Sequence, residues 1–330
     1  MRVSILIPTH NRGALLEQTL RSVGGIVLPV DVEVELIVVA NACTDRTIGL
    51  CERVLPGLGL SARVVDEPTA GLSVARNRAV AESRGEICAF LDDDVRVDAN
   101  WLKGLVAAYE QTPAHLVGGK VDLWWGEIDR PAWFSQDSLL SRADLGDRTI
   151  ELFEPFGLVG ANFSFRHEVF EQIGGFRADL GRCGKSMVSG EESEFIQRAQ
   201  RAGFGVFYTP DARIEHWVPA GRVTPKYLAS VAFGNAYSHQ LMKTRIGPMQ
   251  VIRSFAGNTG RMVYHGPLEL AARVRGDKAS WVGHLCMRQV GAGVLRGLIH
   301  RLLTQRPADQ DGAKAVAWRG DLRSAGRGRS

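Results

Sequence analysis

Three consecutive carboxylates, Asp92, Asp93 and Asp94, stand at the end of a short apolar run at residues 87–91. The run has the length and composition of a buried β-strand. Adjacent like charges repel each other, so folding alone gives little reason to place three of them where such a strand emerges. A hard divalent cation gives a reason, because Mg²⁺ and Mn²⁺ take oxygen ligands and leave other positions to water or substrate phosphate. Asp92 and Asp94 would face the same way on an extended chain. The competing interpretation is a charged loop in which Asp98 caps the next helix.

Strands and helices alternate through the first part of the chain. Strand-type segments at 2–8, 32–39 and 62–66 are followed by helical or turn segments, with helical spacing at 13–23 and 72–83. This order predicts an α/β fold, with a mostly parallel central sheet and helices on both faces. Ligands of such sheets bind beyond the carboxyl ends of the strands, where the strand order switches. We therefore expect the polar residues that follow the first, second and fourth strands to line one crevice.

Several other classes of protein are excluded by what the chain lacks. Its first turn contains neither a Gly-x-Gly-x-x-Gly loop nor a Gly-Lys-Ser/Thr loop, so an ordinary dinucleotide site and a P-loop are not expected. The five cysteines are scattered without a Cys-x-x-Cys pair, which favours a reducing compartment over a disulfide framework or a zinc site. The first apolar run is stopped by Pro8 and is interpreted as a strand rather than a signal peptide. We expect a cytoplasmic protein.

The charge is distributed unevenly. Residues 222–330 hold 18 of the 40 Lys and Arg residues but 5 of the 36 Asp and Glu residues, so a basic part follows an acidic body. Apolar spacing at 225–245 and 295–302 predicts helices that either lie on the inner face of an anionic membrane or pack on the body with solvated arginines. No recognition motif for nucleic acid accompanies the basic residues, so no nucleic acid partner is expected. Residues 305–330 have the composition of a disordered tail.

Seven segments in a fixed order resemble the family 2 glycosyltransferases, whose Rossmann-like fold is called GT-A. They are 3–12 (VSILIPTHNR), 37–45 (IVVANACTD), 71–77 (GLSVARN), 90–94 (FLDDD), 160–165 (GANFSF), 173–176 (IGGF) and 190–195 (GEESEF). The resemblance implies a GT-A catalytic domain at 1–221, with a nucleotide-sugar half at about 1–115 and an acceptor half at about 116–221. A basic helical extension at 222–304 would follow it.

The resemblance also implies roles for individual residues. Those expected to bind the nucleoside-diphosphate sugar donor are Pro8, Thr9, Asn11, Arg12, Asn41, Arg76, Arg78, Asp92 and Asp93. Those expected at a divalent metal, Mg²⁺ or Mn²⁺, are Asp94, Asp92 and His216. A lone histidine is also compatible with a structural role. The family usually has an acidic residue at the end of the second strand, where this chain has Ala40 and Asn41, so the choice among UDP, GDP and another nucleotide stays open.

Two acidic residues near the end of the body allow two interpretations. Ser189 and Glu192 fit a capping box, in which Glu191 and Glu192 favour the helix dipole. The resemblance instead implies that Glu192 is the catalytic base, with Glu191 as the second candidate. A base at this place needs partial burial and a raised pKa.

The function that follows is inverting transfer of a sugar, from a UDP-sugar in the first instance, to an acceptor hydroxyl. The expected acceptor is a glycan or a lipid-linked glycan of the cell envelope. Two alternatives remain at this point. One is a nucleotide-sugar binding protein with impaired catalysis, which the change at Ala40 and the paired glutamates support. The other is a metal-dependent nucleotidyltransferase, which also uses carboxylates and a metal on an α/β sheet.

Overall fold

The structure is a computed structural model. It describes residues 1–126, 128–153, 158–184, 186–243 and 246–304. The described residues contain one nine-stranded sheet. Its strands are β1 (Arg2–Thr9), β2 (Glu33–Asn41), β3 (Ser61–Glu67), β4 (Ile87–Leu91), β5 (Val95–Val97), β6 (Leu116–Trp124), β7 (Ile150–Glu151), β8 (Asn162–Arg166) and β9 (Val206–Trp217). The helices are α1 (Gly13–Gly24), α2 (Thr47–Val54), α3 (Leu72–Glu82), α4 (Trp101–Gln111), α5 (His167–Ile173), α6 (Glu191–Arg201), α7 (Pro225–Met242), α8 (Pro248–Val274) and α9 (Lys278–Thr304). The tail predicted to be disordered, 305–330, lies outside the described residues.

The strand order is β3-β2-β1-β4-β8-β6-β9-β5, with β7 paired to β9. Neighbouring strands are parallel from β3 to β4 and between β6 and β9. Strand β8 is antiparallel to both β4 and β6, and β5 is antiparallel to β9. The mostly parallel sheet predicted from the sequence is confirmed.

Both faces of the sheet are covered, which explains why its central strands are continuous apolar runs. On β1, Val3, Ile5 and Ile7 belong to one hydrophobic core together with Leu16 of α1. The intervening Leu6 belongs to a second core, which includes buried residues of α3, α5 and α6. The alternation along β1 therefore supplies both cores, as the pleat of a strand requires. The helices on both faces confirm the predicted α/β architecture.

Three helices follow the sheet. Helix α9 packs against both α7 and α8, and α7 contacts the segment just before α6, where Ser238 Oγ accepts a hydrogen bond from Ser189 N at 2.9 Å. The apolar set predicted on α9 is divided, because Leu298 is buried whereas Leu302 is exposed. Packing among the C-terminal helices therefore accounts for only part of that set. Within the described residues, no helix has the length and apolarity needed to cross a membrane.

Candidate active site

The carboxyl ends of β1, β2 and β4 lie at one edge of the sheet, because β1 is parallel to both of its neighbours. The last residue of β1 and the residues that follow β1 and β4 meet there. Thr9 Oγ1 donates a hydrogen bond to Asp93 Oδ2 at 2.7 Å. Arg12 Nη1 lies 3.0 Å from Asp93 Oδ1 and 2.9 Å from Asp94 Oδ2. The structure thus brings the loop after β1 onto the carboxylates, as the crevice predicted from the strand ends requires.

His216 reaches Asp94 through the pairing of β5 with β9. Val95 stands opposite His216 in that pair, so the histidine lies beside the turn that carries the carboxylates. His216 Nε2 is 3.1 Å from Asp94 Oδ1 and 4.0 Å from Asp92 Oδ2. His216 Nδ1 lies 3.2 Å from the carbonyl oxygen of Leu140, and a proton on Nδ1 would donate there, so that Nε2 would be the nitrogen available to a bound cation.

This donor set fits a divalent cation. One ligand atom from each of Asp92, Asp94 and His216 lies within 4.8 Å of the other two. Two carboxylates suit Mg²⁺ and Mn²⁺, and an added imidazole favours a transition metal over Mg²⁺. The backbone bond of Nδ1 is the kind of second contact that holds a metal-binding histidine in position.

Two guanidinium groups flank Asp94. Besides Arg12, Arg222 Nη2 lies 3.1 Å from Asp94 Oδ2. Burial alone would raise the pKa of Asp94, but the charges of His216, Arg222 and Arg12 outweigh burial and hold its pKa below the ordinary value. Burial and the charge of Asp94 have the opposite effect on Asp93 and raise its pKa to about 6. Of these two carboxylates, Asp94 therefore stays ionised to lower pH than Asp93.

Arg222 was not predicted from the sequence. It ends a short 3₁₀ turn after β9 and lies 128 residues from Asp94 in the chain. Nothing in its immediate sequence distinguishes it from the other basic residues that follow. Its one sequence signal is its position, a few residues after the histidine that the resemblance placed near the metal.

Arg76 joins the two acidic sides of the site. Its side chain is buried, and Nη1 lies 2.7 Å from Glu191 Oε1 and 3.8 Å from Glu192 Oε2. Its Nη2 donates to the carbonyl oxygen of Gly160 at 3.1 Å and lies 3.8 Å from Asp92 Oδ1. One guanidinium thus contacts a carboxylate at the end of β4 and both glutamates at the start of α6. These two groups of acids therefore lie on either side of one buried guanidinium.

The two glutamates have different environments. Glu191 is buried in its ion pair with Arg76, and its Oε2 has no hydrogen-bond partner. The side chain of Glu192 is 18% exposed, yet burial, followed by the charge of Glu191, raises the pKa of Glu192 to about 8. A carboxylate with that pKa is a strong proton acceptor in the fraction of molecules in which it is ionised.

The predicted capping box is wrong, whereas both glutamates do lie in the first turn of α6, where acidic side chains favour the helix dipole. The N-cap of α6 is Gly190, in the left-handed region at φ 88°, and no side chain caps the helix. Ser189 instead donates its hydroxyl to Asn235 Oδ1 and its backbone N–H to Ser238 Oγ, both on α7. Because Ser189 hydrogen-bonds to α7, it does not cap α6, and the predicted capping box does not form.

Two predicted donor-binding residues hold loops at the carboxyl edge. Asn11 Oδ1 accepts hydrogen bonds from the backbone N–H groups of Thr44 and Asp45, at 2.8 and 3.2 Å. Asn41 Nδ2 donates to the carbonyl oxygen of Thr69, and Asn41 Oδ1 accepts from Gly71 N at 2.8 Å. Both side chains therefore shape the loops around the crevice. Their contact with a nucleotide remains a prediction.

The other two predicted donor-binding residues lie apart from the acidic cluster. Pro8 is buried within β1 and pairs with Val39. Arg78 pairs with Glu82 at 2.9 Å and lies 3.7 Å from Glu67. The structure brings Arg76, but not Arg78, to the carboxylates, because residues two apart on a helix point in nearly opposite directions.

Comparison with known proteins agrees with this architecture. The model of the family described as "Glycosyl transferase family 2" matches residues 4–174 of this chain. A glucosyl-dolichyl phosphate glucuronosyltransferase of Haloferax volcanii is 26% identical over 251 residues, covering 73% of this chain and 77% of the relative. The succinoglycan biosynthesis protein ExoM of Rhizobium meliloti is 27% identical over 240 residues, covering 72% of this chain and 74% of the relative.

Two solved structures share the fold. The mannosyltransferase PcManGT of Pyrobaculum calidifontis, in complex with GDP-Man and Mn²⁺, has a TM-score of 0.61 at 19% identity and covers 92% of this chain and 88% of its own. The TarS 1-349 structure of S. aureus, in complex with UDP-GlcNAc, has a TM-score of 0.52 at 16% identity and covers 90% of this chain and 92% of its own. At these identities the similarity establishes the GT-A fold.

Proposed function

The chain belongs to glycosyl transferase family 2, and from that membership we propose that this glycosyltransferase moves a sugar from a nucleoside-diphosphate sugar to an acceptor hydroxyl with inversion. The observation that carries the proposal is the position of Arg76 between Asp92 and the Glu191–Glu192 pair. It supports a reaction centre with a donor side at the end of β4 and a proton-accepting side at the start of α6.

Asp92, Asp94 and His216 are the residues that would hold a divalent cation, whose charge would stabilise the departing nucleoside diphosphate. The chain itself contributes further positive charge beside Asp94 through Arg12 and Arg222. These two guanidiniums are in place to bind the diphosphate and to keep it oriented.

Glu192 is the proposed base. With a pKa near 8 it accepts the proton of the acceptor hydroxyl as the hydroxyl oxygen attacks the anomeric carbon from the face opposite the diphosphate. The charge that develops on the sugar is of the oxocarbenium kind, as in glycoside hydrolysis. Glu191, held by Arg76, keeps Glu192 basic and positions the start of α6.

The proposed donor is a UDP-sugar and the proposed acceptor is a glycan, free or lipid-linked, of the cell envelope. Solved structures of this fold hold GDP-Man or UDP-GlcNAc, so both nucleotides belong in the test. The relatives named for dolichyl phosphate and succinoglycan support a polysaccharide or lipid-linked acceptor. We also propose peripheral membrane contact through the C-terminal helices.

The test is a donor screen with the full chain. UDP- and GDP-sugars are added with and without Mn²⁺, and thermal shift and the released products are measured. We expect one nucleotide class to stabilise the protein in the presence of metal and to release nucleoside diphosphate. Release of pyrophosphate would identify a nucleotidyltransferase, and metal-dependent binding without any release would identify a binding protein.

A further inference from the structure

Helix α8 presents an apolar face that no described part of the chain covers. Of its 27 residues only Glu269 and Ala272 are buried. Its exposed large side chains are Met249 (60% exposed), Ile252 (61%), Phe255 (50%), Val263 (68%), Tyr264 (66%), Leu270 (64%) and Val274 (82%). Scattered apolar residues are normal on a protein surface, but several that recur along one helix indicate a binding surface.

These side chains form a stripe rather than a scatter. Successive helical residues turn by ~100°, so Met249, Ile252, Val263, Leu270 and Val274 fall on one side of α8, opposite the buried pair. At 1.5 Å per residue the stripe extends over roughly 40 Å. We call this set of five residues the α8 stripe.

Basic side chains, and no acidic ones, are exposed along the same helix. Arg253 lies near its beginning, Arg273 and Arg275 lie at its end, and all three are exposed. The sole acidic residue of α8, Glu269, is 5% exposed and is bound by Arg273 and Arg288 at 2.7 and 2.6 Å. The partner of this face must therefore offer an apolar layer beside negative charge.

A second copy of the chain does not offer that combination. If two α8 stripes packed antiparallel, Arg253 of each copy would meet the Arg273–Arg275 end of the other. If they packed parallel, each arginine would meet its own counterpart. Like charges opposed across an interface disfavour association. An anionic bilayer matches both features, because acyl chains receive the stripe and phosphate headgroups receive the arginines.

We infer that helix α8 lies in the plane of an anionic lipid surface, with the α8 stripe inserted below the headgroups and Arg253 and Arg275 bound to lipid phosphates. The inference rests on one part of the proposed function, the peripheral membrane contact. It assigns that contact to α8 rather than to the segments of α7 and α9 that the sequence pattern suggested. A lipid-linked acceptor would then be presented to the site from the same surface.

Vesicle flotation of the full chain tests the inference. We expect the protein to float with equimolar phosphatidylcholine–phosphatidylglycerol vesicles and to bind phosphatidylcholine vesicles weakly. The triple variant Ile252→Ser, Val263→Ser, Leu270→Ser should partition at least about tenfold less. The double variant Arg253→Gln, Arg275→Gln should lose the preference for the anionic vesicles and the sensitivity to salt.

A matched control uses exposed apolar residues of the catalytic body, Val30 (88%) and Phe153 (82%). The variant Val30→Ser, Phe153→Ser should float like the unaltered chain. Thermal melting shows that each variant is folded, and lipid-free release of nucleoside diphosphate should be unchanged in all of them. Absence of nucleoside diphosphate release from the unaltered chain, with its flotation intact, would refute the proposed function and leave the inference standing.

Three results would overturn the inference. The first is flotation of the triple variant equal to that of the unaltered chain, and the second is no flotation of either with anionic vesicles. The third is a lipid-free dimer, measured by light scattering, that becomes a monomer in the triple variant while vesicle binding is absent. That outcome would assign the α8 stripe to self-association.

Discussion

Replacing Glu191 with glutamine is expected to move the pH dependence of catalysis to lower pH. A base must be unprotonated to act, so the rate falls as pH drops below the pKa of Glu192, which is about 8. After burial, the charge of Glu191 is the largest cause of that raised pKa, and the bond of protonated Glu192 to Glu191 adds to it. The Glu191→Gln change removes the like charge and leaves Arg76, which lies 3.8 Å from Glu192 in the structure, to stabilise the ionised base.

The size of the effect follows from these contacts. Losing one adjacent like charge lowers a carboxyl pKa by ~1–2 units, at about 1.4 kcal/mol per unit. A fall from about 8 to ~7 raises the ionised fraction at pH 7 from about one tenth to about one half. The rate at pH 7, relative to the plateau at high pH, should therefore rise about fivefold.

The assay is nucleoside diphosphate release against pH, with the donor identified by the screen. Glu194→Gln is the matched control, because Glu194 is also buried in the first turn of α6 but pairs with Arg198 at 2.9 Å. It should leave the acid limb unmoved, whereas Glu192→Gln should reduce turnover by ~10²–10⁴-fold and retain donor binding. An acid limb that stays in place in Glu191→Gln, or that moves equally in Glu194→Gln, refutes the assignment of Glu192 as the base.

Three further predictions concern residues of the candidate site and of the sheet beneath it. Arg76→Met should lower the free energy of unfolding by ~3–5 kcal/mol in denaturant unfolding, because it leaves a buried carboxylate unpaired. Arg2→Met should lower it by under about 1 kcal/mol, because the ion pair of Arg2 is exposed. Equal losses in the two variants would contradict this prediction. His216→Ala should weaken Mn²⁺-dependent donor binding about tenfold or more in a thermal-shift titration, and unchanged metal dependence would remove this histidine from the metal site. Gly119→Ala should unfold at a clearly lower denaturant concentration than Gly57→Ala. A Cβ at Gly119 would lie 1.9 Å from a carbonyl oxygen of β9, whereas a Cβ at Gly57 would meet open space. Equal unfolding midpoints would show that the strand shifts to make room for the added methyl group.

The strands and the crevice were predictable because their signals are local. The apolar runs of β1, β2 and β4 reflect burial on both faces, and a polar residue directly after a strand lies at its carboxyl end whatever the rest of the chain does. Asp92–Asp94 could therefore be placed at the edge of the sheet from their sequence position. The family resemblance added Glu191 and Glu192 as partners across the crevice.

Contacts between distant segments were not predictable in the same way. Arg76 and Arg78 look equivalent in the sequence, and only the packing of α3 turns Arg76 toward Glu191. Arg222 reaches Asp94 because β9 returns the chain beside β5.

The sequence by itself determined the alternation of strands and helices, the carboxylates at the sheet edge and the basic C-terminal part. The tertiary structure decided which side chains meet, since α7 takes Ser189 from its predicted cap and α9 covers only one side of α8. The physical reason is that hydrophobic periodicity shows that a helix has an apolar face but not what covers it. For α8, the uncovered apolar face became visible only when its neighbours were in place.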